Sequence, residues 1–85
     1  MITIEHTVSE PVFVHAQVAS ELTQNIRSLG SSVRLFKDNA SIDATSILAV
    51  IGLSIKGGDN ISFTLSGDSE EQDAKVLSAY LNDKL

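Results

Sequence analysis

Apolar and polar residues alternate through Ile2-Thr3-Ile4-Glu5-His6-Thr7-Val8, a period of two that places Ile2, Ile4, His6 and Val8 on one face of a strand. The period then changes. Pro11 disfavours helix at Glu10, and Val18, Ala19, Leu22, Ile26 and Leu29 recur at helical spacing, which predicts a helix from about Ala16 to Leu29. Gln17, Ser20, Glu21, Gln24 and Arg27 fall on its wet side, and Gly30 is placed for the left-handed C-terminal position. Ser32 to Lys37 reads as a strand with Val33 and Leu35 inward. Asp38-Asn39 is turn chemistry leading to a return strand from Ala40 to Asp43, so the two form a hairpin.

The most apolar run, Thr45 to Leu53, suits a short helix with Ser46 as its N-cap, with a buried strand as the alternative. Its apolar residues exceed what one small helix buries on one face, so part of the run is available as a docking surface as well as for the core. Lys56-Gly57-Gly58-Asp59-Asn60 is a turn rather than a phosphate loop, because no Walker-type lysine and hydroxyl follow the glycines. Ile61 to Ser66 alternates and gives the last strand, which Gly67 closes. Ser69-Glu70-Glu71-Gln72 has the form of a capping box. The helix it opens runs to about Lys84, with Ala74, Leu77 and Leu81 as a buried stripe supported by Val76 and Tyr80, and with Glu70, Asp73 and Lys75 toward water. The order β-α-β-β-α-β-α, with one-sided strands, predicts an α+β two-layer sandwich: an antiparallel sheet covered on one face by helices. Periodicity leaves the strand order open, and a ferredoxin-like arrangement with an added helix fits as well.

Eighty-five residues fit one domain, residues 1–85, with one small shared core. The chain has no cysteine, so disulfides and thiolate metal sites are absent. His6 shares an apolar strand face and reads as structural, with no carboxylate or second histidine at metal-ligating spacing; no metal or other cofactor is expected. No stretch is long enough to span a membrane. The lack of a signal-like start points to a cytoplasmic protein. A net charge of -5, with six Lys and Arg, argues against nucleic acid and suits a protein partner carrying a basic patch. The chemistry-bearing candidate is His15, at the junction where Val12-Phe13-Val14 turns into the first helix. Free backbone N–H groups at a helix start favour an anion such as phosphate on or beside its imidazole.

Two segments together carry a family resemblance. Phe13-Val14-His15-Ala16-Gln17-Val18 opens the first helix and Thr45-Ser46-Ile47 opens the second, in an element order and length that resemble HPr, the histidine-containing phosphocarrier family of the bacterial phosphoenolpyruvate-dependent sugar phosphotransferase system. The resemblance implies an open-faced sandwich with a four-stranded sheet of order 1-4-2-3 and three helices on one face. It implies that His15 takes a phosphoryl group from enzyme I and passes it to an enzyme IIA, with Ala16 and Gln17 as its cradle and Ile47, Leu48 and Ile51 as a docking patch. Ser46 falls on the serine that a dedicated kinase phosphorylates in many Gram-positive members to regulate carbon catabolism, which would bring in a transcriptional regulator. Such a protein is a substrate of enzymes rather than a catalyst, and no acid, base or metal set accompanies His15.

At three positions around His15 the chain departs from the family pattern. Phe13 replaces glycine, Gln17 replaces arginine and Val18 replaces proline. A charge-assisted bond to phosphate contributes ~1.5 to 3 kcal/mol against ~0.5 to 1.5 for a neutral donor, so Gln17 carries a handicap of roughly three- to thirtyfold. These departures motivate a second reading, a regulatory interaction module with weak or no phosphotransfer, controlled through Ser46.

Overall fold

The computed structural model describes residues 1–85. The strands are β1 (Ile2–Thr7), β2 (Ser32–Lys37), β3 (Ala40–Asp43) and β4 (Asn60–Ser66), and the helices are α1 (Ala16–Arg27), α2 (Ile47–Gly52) and α3 (Glu70–Lys84). All strand pairs are antiparallel, in the order β1-β4-β2-β3, which removes the ferredoxin-like alternative. Central β4 is flanked on both sides, with Phe63 opposite Ile4 of β1 and Leu35 of β2.

Period two in the sequence becomes sidedness in the sheet. Ile61, Phe63 and Leu65 of β4 and Val33 and Leu35 of β2 point into the core, where they meet Leu22 and Ile26 of α1, Val50 of α2, and Leu77 and Leu81 of α3. Thr3, Glu5, Ser62, Thr64 and Arg34 alternate with these residues and make up the uncovered polar face.

Several expectations about helix ends and faces are corrected. Gly30 is not the left-handed terminator of α1. The helix ends at Arg27, Ser28 stays right-handed at φ -77°, and its N–H and hydroxyl both donate to the Asn25 carbonyl, so the last turn is satisfied without a left-handed residue. A side chain at position 30 would instead meet the Ser69 hydroxyl, at 2.7 Å from its Cβ.

The capping box does not form, and Asp73 does not face water. Asp73 is 7% exposed, and its Oδ2 accepts from the Ser31 N–H (2.9 Å), the Ser31 hydroxyl (2.6 Å) and the Ser69 hydroxyl (2.7 Å). Ser69 is thereby drawn away from the helix N–H groups it was expected to cap. Glu70 has a different role as well, accepting from Gly67 N–H and pairing with the N-terminal ammonium of Met1. Val76, expected to support the buried stripe of α3, is exposed.

The segment between β1 and α1 is held by a small ladder outside the main sheet. Val8 N–H donates to Asp59, Gly58 N–H to Val8, Gly57 N–H to Val12, and Val14 N–H to Ile55. Gly57 lies so close to the Glu10 backbone that a Cβ there would collide with the Glu10 carbonyl, so this crossing requires glycine. Buried Val14 and Ile55 fasten the ladder to the core.

Candidate functional site

His15 is the N-cap of α1. Its backbone is extended (φ -91°, ψ -172°), its carbonyl accepts the first helical bond from Ala19 N–H at 2.8 Å, and its imidazole is exposed. The Gln17 N–H donates to Nδ1 at 3.2 Å. An acceptor Nδ1 has a lone pair, so in the neutral ring the proton is on Nε2. Nδ1 thus lies over the positive end of the helix. No acidic residue occupies the first turn to oppose an anion, and Ala16 and Gln17, the first two helical residues, are both exposed.

Phe13, Val14 and His15 alternate out, in and out: Phe13 is 55% exposed, Val14 1%, and His15 exposed. The His15 N–H donates to the Phe13 carbonyl at 3.0 Å in a tight turn centred on Val14, so Phe13 and His15 both stand at the surface two residues apart. The bulk at position 13 is presented to solvent, beside the histidine.

Ser46 is the N-cap of α2, as expected, though its hydroxyl accepts from Ala49 N–H at a long 3.4 Å. Two charged residues frame this end. Asp43 accepts from the N–H and hydroxyl of Thr45, bonds that hold its carboxyl below the usual range with smaller help from Arg34 and Arg27, and the Arg27 guanidinium donates to the Thr45 carbonyl at 2.8 Å. Of the three residues expected to dock a partner, Leu48 is 79% exposed, whereas Ile47 and Ile51 are half-buried against the core. At the far end of α2 Ser54 takes up a left-handed φ of 53°. There Lys37 Nζ donates to the carbonyls of Leu53 (2.7 Å) and Ser54 (3.2 Å), where a cation suits the helix C-terminus.

His15 and Ser46 are not brought together. Arg27, the last residue of α1, bonds beside Ser46, while His15 opens the same helix; its 12 residues separate the two positions by about 18 Å. Sequence reasoning missed Lys56, whose backbone pairs with Phe13 in an isolated antiparallel bridge. A concavity of about 480 Å³, lined by Glu5, His6, Thr7, Phe36, Asp38, Asn60, Ile61 and Ser62, does not include His15. No group of three or more His, Cys, Asp and Glu residues is placed to hold a metal, and no helix is long and apolar enough to cross a membrane.

The fold agrees with comparisons to known proteins. The chain is 29% identical over 83 residues to the phosphocarrier protein HPr of Lysinibacillus sphaericus, covering 98% of this chain and 94% of that one. It is 35% identical over 83 residues to multiphosphoryl transfer protein 1 of Escherichia coli K12, covering 95% of this chain but only 10% of that longer protein. The crystal structure of HPr-C-His from Thermoanaerobacter tengcongensis superposes with a TM-score of 0.89 at 25% identity, covering 99% of this chain and 94% of that one. The family described as PTS HPr component phosphorylation site matches residues 2–83, and with the open-faced fold this establishes that the chain belongs to the HPr family of phosphotransferase-system phosphocarriers, which are carriers rather than enzymes.

Proposed function

We propose that this protein relays a phosphoryl group through His15, accepting it from enzyme I and passing it to an enzyme IIA in the cytoplasm. The observation that carries the reading is the exposed imidazole that caps the start of α1, its Nδ1 accepting from the Gln17 N–H. In the transfer Nδ1 attacks phosphorus as the donor's P–N bond breaks. The electron pair of that bond returns to the donor imidazole, and the proton on His15 Nε2 stays in place. The Gln17 N–H loses its partner as Nδ1 becomes bonded and turns to a phosphoryl oxygen, exchanging a neutral hydrogen bond of about 0.5–1.5 kcal/mol for a charge-assisted one of about 1.5–3 kcal/mol. Leu48, with the outer edges of Ile47 and Ile51, offers the apolar contact for both partners.

Intact mass after incubation with phosphoenolpyruvate and a cognate enzyme I of proven activity tests this reading. An acid-labile phosphoryl adduct that His15→Ala abolishes supports it, and no adduct on the native chain refutes it.

A second reading is favoured by Gln17 and by the exposed Phe13 beside the histidine: a regulatory module that binds a partner and is controlled by a serine kinase at Ser46, with a transcriptional regulator downstream. A phosphate on Ser46 would meet both the Arg27 guanidinium and the Asp43 carboxylate, so it would reorganise the start of α2. An acid-stable adduct lost in Ser46→Ala, with none on His15, would select it.

A further inference from the structure

A phosphoryl group on His15 brings close to two negative charges to a helix start whose first turn, Ala16-Gln17-Val18-Ala19, contains no cation. The chain has six lysines and arginines to draw on. Arg27 is bonded to Thr45 at the opposite end of α1, Arg34 to Ser41 on the uncovered sheet face, and Lys37 to the end of α2. Lys75 stands in the second turn of α3, and the Lys84 ammonium is 3.6 Å from Asp83 Oδ2 at the end of that helix. Lys56 remains, and its backbone runs beside the strap that carries the histidine.

Register makes that proximity specific. The bonds from Val14 N–H to Ile55 and from Gly57 N–H to Val12 bracket the Phe13–Lys56 pair, so it is a non-hydrogen-bonded antiparallel pair, the type in which side chains approach most closely. Phe13 and Lys56 thus project from the same side of this ladder, and exposed His15 follows Phe13 across a single tight turn, its N–H donating to the Phe13 carbonyl at 3.0 Å. The lysine is also weakly engaged. Its side chain is 63% exposed, and its ammonium is 3.5 Å from Asp59 Oδ1, on a carboxylate that already accepts from the Lys56 N–H at 2.9 Å and pairs with Lys37 at 3.2 Å. Turning Lys56 away from Asp59 leaves that carboxylate with two partners.

We propose that Lys56 is the cation that holds the phosphoryl group on His15, and that Asp59 parks its ammonium while the histidine is unmodified. The flexible four-carbon stem lets the ammonium swing from one anion to the other. This inference rests on the phosphoryl-relay reading of His15 and adds the residue that offsets the neutral side chain at position 17.

The test phosphorylates the native chain, Lys56→Ala, Lys56→Arg and His15→Ala with phosphoenolpyruvate and enzyme I, and follows the adduct by intact mass and by ³¹P NMR across pH. Lys56→Ala is expected to reduce the equilibrium share of phosphorylated protein about fivefold at low salt, with the deficit shrinking near 1 M salt and Lys56→Arg restoring most of it. It should also raise the pH at which the phosphoryl group takes up its proton, a change that a merely structural role for the side chain would not produce. If the native chain forms the His15 adduct and Lys56→Ala matches it in both share and titration, Lys56 is a bystander and this inference falls alone. If the native chain forms no adduct, the phosphoryl-relay reading falls and takes this one with it.

Discussion

Gln17→Arg should strengthen phosphoryl binding while weakening the fold. Residue 17 is the second residue of α1, and its backbone N–H lies over His15 Nδ1. A guanidinium there adds charge-assisted bonds to a phosphoryl oxygen, better than a neutral amide by about 1–2 kcal/mol. Both residues are exposed, so solvent screening favours the lower end, about 1 kcal/mol or roughly fivefold. In the unmodified protein the same cation sits at the positive end of α1, an unfavourable placement of about 0.3–1 kcal/mol that lowers Tm by about 1–8 °C. The assay pairs thermal melts of the unmodified proteins with the equilibrium partition of phosphoryl group between enzyme I and the carrier. Opposite movements of the two readouts identify an electrostatic origin, and the gain should be larger in a Lys56→Ala background, where no other cation competes. An unchanged partition with a lowered Tm would show that charge at position 17 does not reach the phosphoryl group.

Ser54→Gly should stabilise the protein by about 0.5–1 kcal/mol, seen as a higher urea midpoint, because Ser54 holds a left-handed φ of 53° at the end of α2; a lower midpoint would mean that the serine side chain matters more than its backbone. Leu48→Asp should leave Tm nearly unchanged, since the side chain is 79% exposed, yet raise the KM for phosphoryl transfer roughly fivefold or more; an unaltered KM removes Leu48 from the docking patch. The Ser31 and Ser69 hydroxyls and the Ser31 N–H hold the Asp73 carboxyl below its ordinary range. Its contribution to stability is therefore complete above the unfolded value of about 3.9 and is lost as pH falls through the lower folded value. Asp73→Asn should flatten the decline of Tm with pH below about 4, and an identical acid limb in the variant would refute the assignment.

The elements themselves were readable because each follows from a local period. The two-residue alternation at Ile2–Val8 and Ile61–Ser66, and the helical spacing from Val18 to Ile26, survive in the structure with small changes at the ends. Strand order is not a local property, and here it followed from family resemblance. What escaped the sequence depends on partners far along the chain. Asp73 looked like one of several acids on a wet helix start until Ser31, 42 residues earlier, proved to donate to it twice. Ser69 had two available uses, and the buried carboxylate prevailed over the helix N–H groups. At the candidate site His15 and Ser46 were visible as helix starts, but Lys56 was not, since only the crossing of two loops places it beside Phe13.

That crossing separates where the histidine is from whom it meets. The segment leading into α1 is positioned by main-chain bonds between residues 8–14 and 55–59, which do not depend on the side chains at positions 13, 17 and 18. Substitutions at positions 13, 17 and 18 should therefore change the surface around His15 without moving the histidine itself. The constraint on its placement lies 42 positions away, at Gly57, where any side chain would push Glu10 and the whole strap off the turn that carries it.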